Sequence, residues 1–181
     1  SYLPNWRKGT DFKQSLPASA GKKSYQSYRE IKKLGGGVIL DLSHEFDYID
    51  YLLGDIKLVF GESSKRSSLT IDVEDYADIL IGSMKGPVNL HINFLSHRNK
   101  REIQIDFENL TVVGDLVKSQ VEEYRKEKLI SVKKFEVERN FSFESQLDYF
   151  FKNIDNPKMM NNLIDASVLY KKIIQFKKTH G

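Results

Sequence analysis

Hydrophobic and polar residues alternate along the middle of the chain, from Lys57 to about Val137. The period of two is clearest in three stretches, Ile71 to Ala77, Val88 to Leu95 and Ile103 to Phe107. Short polar turns containing Gly, Pro or Asn separate them. Alternation is typical of a strand with two unlike faces, and short turns join antiparallel strands. The region predicts a mostly antiparallel sheet, continued by charged strands at Gln120 to Arg125 and Leu129 to Glu138.

Helical spacing flanks this region on both sides. Before it, Ser24 to Leu34 predicts a short helix that three glycines end, and Leu42 to Leu53 predicts a longer helix with an apolar stripe. After it, stripes from Leu147 to Ile154 and from Leu163 to Ile174 predict two closing helices. Because the strands are grouped, the order indicates an α+β fold, an open sheet with helices on one face. The length of 181 residues suits a single domain spanning the whole chain.

Composition narrows the classes of function. The chain has 28 basic and 25 acidic residues, a near balance that argues against a nucleic-acid partner. It has no cysteine, which excludes disulfides and thiolate chemistry. No apolar run approaches the roughly 20 residues of a membrane span, so we expect no membrane contact, and the absence of cysteine is compatible with the cytoplasmic location that we expect. The opening Ser1-Tyr2-Leu3-Pro4 has neither an initiator Met nor a signal peptide, which predicts a fragment of a longer protein.

The glycine run at Gly35 is a poor candidate for a cofactor site. A dinucleotide fingerprint needs Gly-x-Gly-x-x-Gly after a strand, but the sixth position here is Leu40 and a predicted helix precedes the run. A close-approach turn leading into the next helix is the better interpretation. No metal site is expected, because His44 lacks the second histidine of a zinc helix and the other histidines have no ligand spacing.

Asp41, His44 and Asp47 lie three residues apart along the predicted helix and so roughly on one face. A carboxylate beside an imidazole can orient the ring for general acid–base catalysis, for which histidine is the commonest carrier. The same residues could instead mark a helix start, with Asp41 as the cap and acidic residues in the first turn. On spacing alone, the helix start is the favoured interpretation.

Aromatic and basic residues also meet in two places before this helix, at Trp6 with Arg7 and at Tyr28 with Arg29. An aromatic face beside a guanidinium can hold a sugar ring together with a phosphate or carboxylate. The alternative is that the aromatic rings only pack these segments onto the domain.

The run from Gly35 to Gly54 shifts the interpretation of Asp41 and His44 from a helix start toward a catalytic site. Its sequence, Gly-Gly-Gly-Val-Ile-Leu-Asp-Leu-Ser-His-Glu-Phe-Asp and then Leu53-Gly54, resembles the signature of the glucose–fructose oxidoreductase/inositol dehydrogenase (Gfo/Idh/MocA) family. The opening Tyr2 to Trp6 and the later Val73 to Ala77 resemble a branch associated with surface-sugar biosynthesis. The family pattern has three residues between its Asp and His, whereas two separate Asp41 from His44.

The resemblance implies the C-terminal, substrate-binding domain of that family, with a dihydrodipicolinate reductase-like fold and without the Rossmann domain that would hold NAD or NADP. It implies an oxidoreductase for a sugar, a polyol or a nucleotide-linked sugar, assembled as a homo-oligomer through the sheet face and inactive as this fragment. His44 would transfer the proton, and Asp41 would orient it or bind substrate. The expected substrate-binding residues are Trp6, Arg7, Tyr28, Arg29 and Asp47. The alternative is a non-catalytic binding or oligomerisation module of the same fold.

Overall fold

The computed structural model of the chain describes residues 28–136, 138, 140–156 and 162–180, without the side chain of Tyr28. The described residues form two compact units. The first unit comprises those up to Asn99 together with those from Val168 onward, and the second extends from Lys100 to Ser167. Each unit contains its own antiparallel sheet.

The first unit begins with two single 3-10 turns, Tyr28–Glu30 and Lys32–Leu34. For these residues the predicted short helix is wrong, because Ile31 between the turns is extended, with φ −117° and ψ 116°. Two helices and three strands follow: α1 (Val38–Asp41), α2 (Ser43–Leu53), β1 (Lys57–Ser64), β2 (Tyr76–Ser83) and β3 (Gly86–Asn93). Helix α2 confirms the longer helix that the apolar spacing predicts.

The second unit holds four strands and a helix: β4 (Glu102–Phe107), β5 (Leu110–Asp115), β6 (Gln120–Arg125), β7 (Lys128–Lys134) and α3 (Phe141–Asn153). The last helix, α4 (Leu163–His180), begins in the second unit and ends in the first. The hairpin of β6 and β7 confirms the predicted charged strands. The α+β class and the antiparallel pairing are confirmed, with the described strands divided between a three-stranded and a four-stranded sheet.

The hydrophobic core lies on one face of the three-stranded sheet, whose order is β1-β2-β3. Alternate residues of β2 and β3 face it, and Ile79 pairs with Leu90 in the ladder. The covering side chains come from the helices and are Val38, Ile39, Leu42, Phe46, Ile49, Leu169, Ile173 and Phe176. Helices on one face of a sheet are therefore confirmed for the first unit. Because α2 is held by this core, the core also determines where His44 lies.

The segment between β1 and β2 differs from the sequence prediction. The alternation from Ile71 to Ala77 predicts one strand, whereas β2 begins only at Tyr76, and Asp72 and Val73 form a bend before it. The period of two survives in the burial, since Val73 and Asp75 are both buried. Alternation therefore predicts correctly which side chains point inward, and wrongly which backbone groups pair in a ladder.

The backbone of this segment bonds to the residues around α1. The amide of Asp72 donates to the carbonyl oxygen of Glu30 at 3.2 Å, and the carbonyl oxygen of Glu74 accepts from the amide of Val38 at 3.0 Å. The amide of Asp72 and the carbonyl of Glu74 thus have hydrogen-bond partners although they do not pair with a neighbouring strand. They also tie the loop before β2 to the segment that leads into α2.

The second unit differs from the first in that its described side chains remain accessible to solvent. Among its described residues none is buried, although β4 alternates apolar and polar positions as predicted. The apolar stripe predicted for α3 is present but exposed, with between 45% and 64% of each residue accessible at Leu147, Phe150, Phe151 and Ile154.

Candidate active site

His44 lies at the second position of α2, two residues after the break at Leu42. Its side chain is 48% exposed, and its Nε2 lies 3.1 Å from Oε1 of Glu45. The Glu45 side chain is completely buried, and its other carboxylate oxygen accepts a hydrogen bond from the Tyr48 hydroxyl. A half-exposed imidazole therefore lies within ion-pair distance of a buried carboxylate whose other oxygen is hydrogen-bonded to Tyr48.

Helix geometry explains why Glu45 is inside. Leu42, Phe46 and Ile49 form the buried stripe, and position 45 flanks that stripe. A buried carboxylate is stable only with partners, and Tyr48, three residues further on, is one of them. Glu45 was not predicted from sequence, because an acidic residue in the first turn is ordinarily explained by the helix dipole. The spacing between Glu45 and Tyr48 is the signal that could have identified it.

Asp41, the last residue of α1, has a different partner. Its Oδ1 lies 3.0 Å from Nε of Arg29, and the side chains of Arg29 and Asp41 are 32% and 4% exposed. Such a shielded ion pair holds its geometry, because leaving either charge without the other is costly. The structure thus joins Arg29 to Asp41, whereas the contact described for His44 is to Glu45.

The remaining site residues expected from sequence are less fully described. Asp47 lies on α2 with an exposed side chain. The backbone of Tyr28 forms the 3-10 turn that also carries Arg29, but the Tyr28 side chain is outside the described part. Trp6 and Arg7 lie outside the described residues altogether. The roles assigned to these residues from sequence remain predictions.

The glycine run is used for packing within the chain. The amides of Gly35, Gly36 and Gly37 donate to main-chain carbonyls of residues 29–32 at 3.0 to 3.1 Å. Gly37 has φ 110°, and a Cβ there would overlap the carboxylate of Glu74. Because these N–H groups are already bonded, the run does not fit the phosphate cradle that a dinucleotide requires. The interpretation as a close-approach turn is confirmed.

A second polar cluster lies on the open face of the three-stranded sheet. Oδ1 of Asp78 lies 2.6 Å from Nδ1 of His91, the other oxygen of Asp78 accepts a hydrogen bond from the Tyr76 hydroxyl, and Arg66 lies over the Tyr76 ring. The hydrogen bond to Asp78 raises the pKa of Tyr76. Burial raises the pKa of Asp78, but hydrogen bonds from Tyr76 and His91 outweigh it and hold that pKa below its ordinary value. About half of Asp78 and His91 is exposed, so the cluster is a surface feature.

The part of the chain that the structure describes lacks both a metal-binding cluster and a membrane-spanning helix. Within it, no group of three or more His, Asp or Glu side chains could hold a metal ion. None of the described helices combines the length and the apolar composition that crossing a membrane requires.

The fold and the site together define an α+β domain with helices on one face of an antiparallel sheet and a histidine–carboxylate pair at the start of a helix. Residues 10–116, more than half of the chain, match the GFO/IDH/MocA C-terminal domain. The chain therefore belongs to the GFO/IDH/MocA family, as the resemblance predicts. None of the curated proteins matches it.

Several solved structures share the fold. UDP-N-acetylglucosamine 3-dehydrogenase GnnA from Acidithiobacillus ferrooxidans has a TM-score of 0.61 and 16% identity, with 77% of this chain and 46% of that chain covered. An oxidoreductase from Agrobacterium radiobacter in complex with NAD+, L-tartaric acid and magnesium has a TM-score of 0.56 and 14% identity, covering 77% and 45%. The super-repressor mutant of Gal80p from Saccharomyces cerevisiae has a TM-score of 0.65 and 14% identity, covering 87% and 51%. The chain thus spans about half the length of these proteins.

Proposed function

We propose that this chain is the substrate-binding and oligomerisation domain of an NAD(P)-dependent oxidoreductase acting on a sugar, a polyol or a nucleotide-linked sugar. The observation that carries the proposal is the pairing of the half-exposed His44 with the buried Glu45 at the start of α2. Family membership supports it, as does the fold shared with a UDP-N-acetylglucosamine 3-dehydrogenase and with an NAD+-bound oxidoreductase.

In this proposal His44 moves the proton of the reacting hydroxyl. Oxidation of an alcohol carbon releases a hydride and a proton, so a base beside the hydroxyl lowers the barrier, and the same group returns the proton in the reverse direction. Glu45 keeps the ring in one orientation through its contact with Nε2. Its carboxylate also offsets the positive charge that the ring gains when it accepts the proton.

Arg29 and Asp41 form the polar wall against which the substrate is bound. The ion pair of 3.0 Å keeps the guanidinium in a fixed orientation, and a fixed guanidinium suits the hydroxyl and phosphate oxygens of a nucleotide-linked sugar. Asp41 accepts from substrate hydroxyls or orients His44. The remaining members of the proposed substrate-binding set are Trp6, Arg7, Tyr28 and Asp47.

The cofactor of the proposed reaction is NAD or NADP, which accepts or donates the hydride when it is bound. The glycine run contributes nothing to holding its phosphates, because the amides of this run bond within the chain. The cofactor is therefore held mainly outside the described residues, and the groups described above bind the substrate and move its proton.

Oligomerisation is proposed to use the open face of the three-stranded sheet. Phe60 and Leu80 are exposed on this face by 66% and 38%, beside the hydrogen-bonded cluster of Asp78 and His91. Exposed apolar side chains among polar groups that already have partners resemble the composition of a protein interface. A second copy of the same face is the proposed occupant.

The test uses the protein encoded by the complete reading frame that contains this chain. Binding of NADH and NADPH is followed by fluorescence, and turnover is assayed on a panel of sugars, polyols and nucleotide-linked sugars. We expect His44→Ala to lower kcat about 100-fold or more, the usual scale for a general acid–base group. The matched control is His97→Ala, an exposed histidine in the loop after β3, which is expected to keep kcat near the wild-type value.

Two results would contradict the proposed chemistry. One is wild-type turnover in His44→Ala, and the other is a wild-type protein that binds neither nicotinamide cofactor. Sedimentation velocity on the same wild-type preparation tests the oligomer, which is excluded if the protein sediments as a monomer over the whole concentration range.

The alternative function is a non-catalytic binding or oligomerisation module. Its specific support is the fold shared with Gal80p, whose solved form is described as a super-repressor mutant. A binding module retains ligand affinity without turnover, and its affinity does not depend on a proton-transferring group. Ligand binding that persists in His44→Ala, in a wild-type protein without turnover on the panel, would favour this alternative.

A further inference from the structure

The last turn of α4 reaches the glycine run from the far end of the chain. Nζ of Lys177 lies 3.1 Å from the carbonyl oxygen of Gly36 and 2.7 Å from Oε1 of Glu74. The side chains of Lys177 and Glu74 are only 18% and 11% exposed. Charged hydrogen bonds shielded from water are stronger than exposed ion pairs, whose net contribution is often close to zero. This contact is therefore capable of holding the backbone it touches.

Glu74 is itself fitted closely to the glycine run. Its carbonyl oxygen accepts the amide of Val38 at 3.0 Å, and its carboxylate fills the space that a side chain at Gly37 would need. Residues 36–38 are all buried. Without the amine of Lys177, a carboxylate would lie against buried backbone with its charge uncompensated, which is costly.

The same backbone carries two groups of the candidate site. The amide of Gly37 donates to the carbonyl oxygen of Arg29 at 3.0 Å, and the carbonyl oxygen of Gly37 accepts the amide of Asp41 at 2.9 Å. The side chains of Arg29 and Asp41 then meet in their ion pair. A displacement of Gly37 therefore moves both partners of that pair, together with the helix break after which His44 follows.

We propose that Lys177 and Glu74 are positioning residues, which hold the glycine run so that Arg29, Asp41 and His44 keep their arrangement. Neither residue has to contact substrate in this role. The inference rests on the proposed function only for the identity of the reacting site. Its contacts and its first test are independent of the reaction that the site performs.

Helix α4 offers a matched control on the same element. Lys172, five residues before Lys177, forms an ion pair of 3.0 Å with Asp55, with side chains 30% and 62% exposed. This pair joins α4 to the turn after α2 and is far in sequence from the glycine run. Lys172→Met therefore removes the same kind of side chain and the same number of ion pairs from α4 as Lys177→Met does.

The experiment is made in the full-length protein with Lys177→Met, Lys177→Arg, Glu74→Gln and Lys172→Met. Amide hydrogen exchange is measured at Gly37, Val38 and Asp41, and the imidazole resonances of His44 are recorded. We expect Lys177→Met to speed exchange at these amides about ten-fold, the scale of one charged hydrogen bond, and to shift the His44 resonances. Amides of β2 keep their wild-type exchange. Lys177→Arg restores the wild-type values, because a guanidinium still donates to both acceptors.

The inference is overturned if Lys177→Met leaves the three amides and the His44 resonances unchanged, or if Lys172→Met changes them equally. Should Lys177→Met fail to fold, Glu74→Gln decides, since it keeps the shape of the side chain and removes its charge. Faster exchange at the same amides in Glu74→Gln supports the inference, and unchanged exchange refutes it.

Turnover separates this inference from the proposed function. If the wild type oxidises a substrate, Lys177→Met is expected to lower kcat about ten-fold while leaving KM for the nicotinamide cofactor unchanged. If the wild type has no turnover, the proposed function fails. The exchange and resonance data then still decide the positioning role.

Discussion

The two units share one hydrophobic pattern and differ in what covers it. β2 and β4 both alternate apolar and polar residues, yet β2 buries Ala77, Ile79 and Ile81 whereas no described residue of β4 is buried. The difference is that α2 and α4 pack on the three-stranded sheet and complete one core. Alternation therefore determines which residues share a face, and the elements packed on that face determine whether it is buried.

The largest expected contrast between the units lies in matched isoleucine truncations. Ile81 is fully buried in β2, whereas Ile105 in β4 is only half-buried. We expect Ile81→Ala to lower the free energy of unfolding by about 4 kcal/mol, since it removes apolar contact and leaves a cavity. Ile105→Ala should cost under about 1 kcal/mol. Urea unfolding followed by circular dichroism measures both, and equal losses would show that the four-stranded sheet is as well covered as the other.

A smaller contrast is expected between two aspartates. Asp75 is fully buried, and its carboxylate accepts the amides of Arg66 and Ser67 at 2.7 and 3.1 Å. Asp75→Ala leaves these two amides without an acceptor and is expected to lower the free energy of unfolding by about 2 kcal/mol. Asp106 in β4 accepts hydrogen bonds in exposed surroundings, so Asp106→Ala should cost less. The same urea titrations test the order, which is refuted if Asp106→Ala is the more damaging substitution.

The smallest expected effect concerns pH. Burial raises the pKa of Asp78 in the first unit, but hydrogen bonds from Tyr76 and His91 hold it below its ordinary value of 3.8. Backbone and side-chain hydrogen bonds from Lys118 lower the pKa of Asp115 in the second unit. A carboxyl whose folded pKa is lowered adds stability above its unfolded pKa, and this stability is lost as pH falls through the folded pKa.

Tyr76→Phe is expected to change the pKa of only one of these two carboxyls. We expect it to raise the pKa of Asp78 toward the ordinary value, because one hydrogen bond to the carboxylate is lost, and to leave the pKa of Asp115 unchanged. Titration of the carboxyl carbon resonances by NMR measures both values. Equal movement of both would mean that the substitution acts through the whole protein.

The fold was predictable from sequence where periodicity and burial coincide. The stripe of Leu42, Phe46 and Ile49 predicts α2 because each turn of the helix repeats the same inward position. The prediction of a strand failed at Asp72 and Val73, where the alternation continues in a bend, because the backbone of this segment bonds to residues around α1 and not to a neighbouring strand. Exposure of the apolar stripe of α3, including Phe150, was also not predictable. Apolar spacing shows which side chains share a helix face, but not whether another element packs on that face.

The candidate site was predictable in part. The spacing of Asp41 and His44, with the resemblance to a family, singles out the segment on which the proposal is built. The pairing of Asp41 with Arg29 depends on a reversal of the chain through the glycine run, which no regular spacing encodes. Glu45 was missed because an acidic residue in the first turn is ordinarily explained by the helix dipole, although its spacing to Tyr48 was visible in the sequence. Partners set by tertiary contacts are not recoverable from spacing along one helix.

The first unit is discontinuous along the chain, and this has a consequence for biosynthesis. Its β-strands end before residue 100, but Leu169, Ile173 and Phe176, which complete its core, belong to the last helix. On the ribosome, residues 100–167 therefore emerge while the part of this core that α4 covers is still exposed, although α1 and α2 are already present. Long-range contacts of this kind form slowly and leave aggregation-prone surface exposed in the interval. We therefore expect the nascent chain to expose an incomplete apolar core, of the kind that chaperones bind, until α4 has been released.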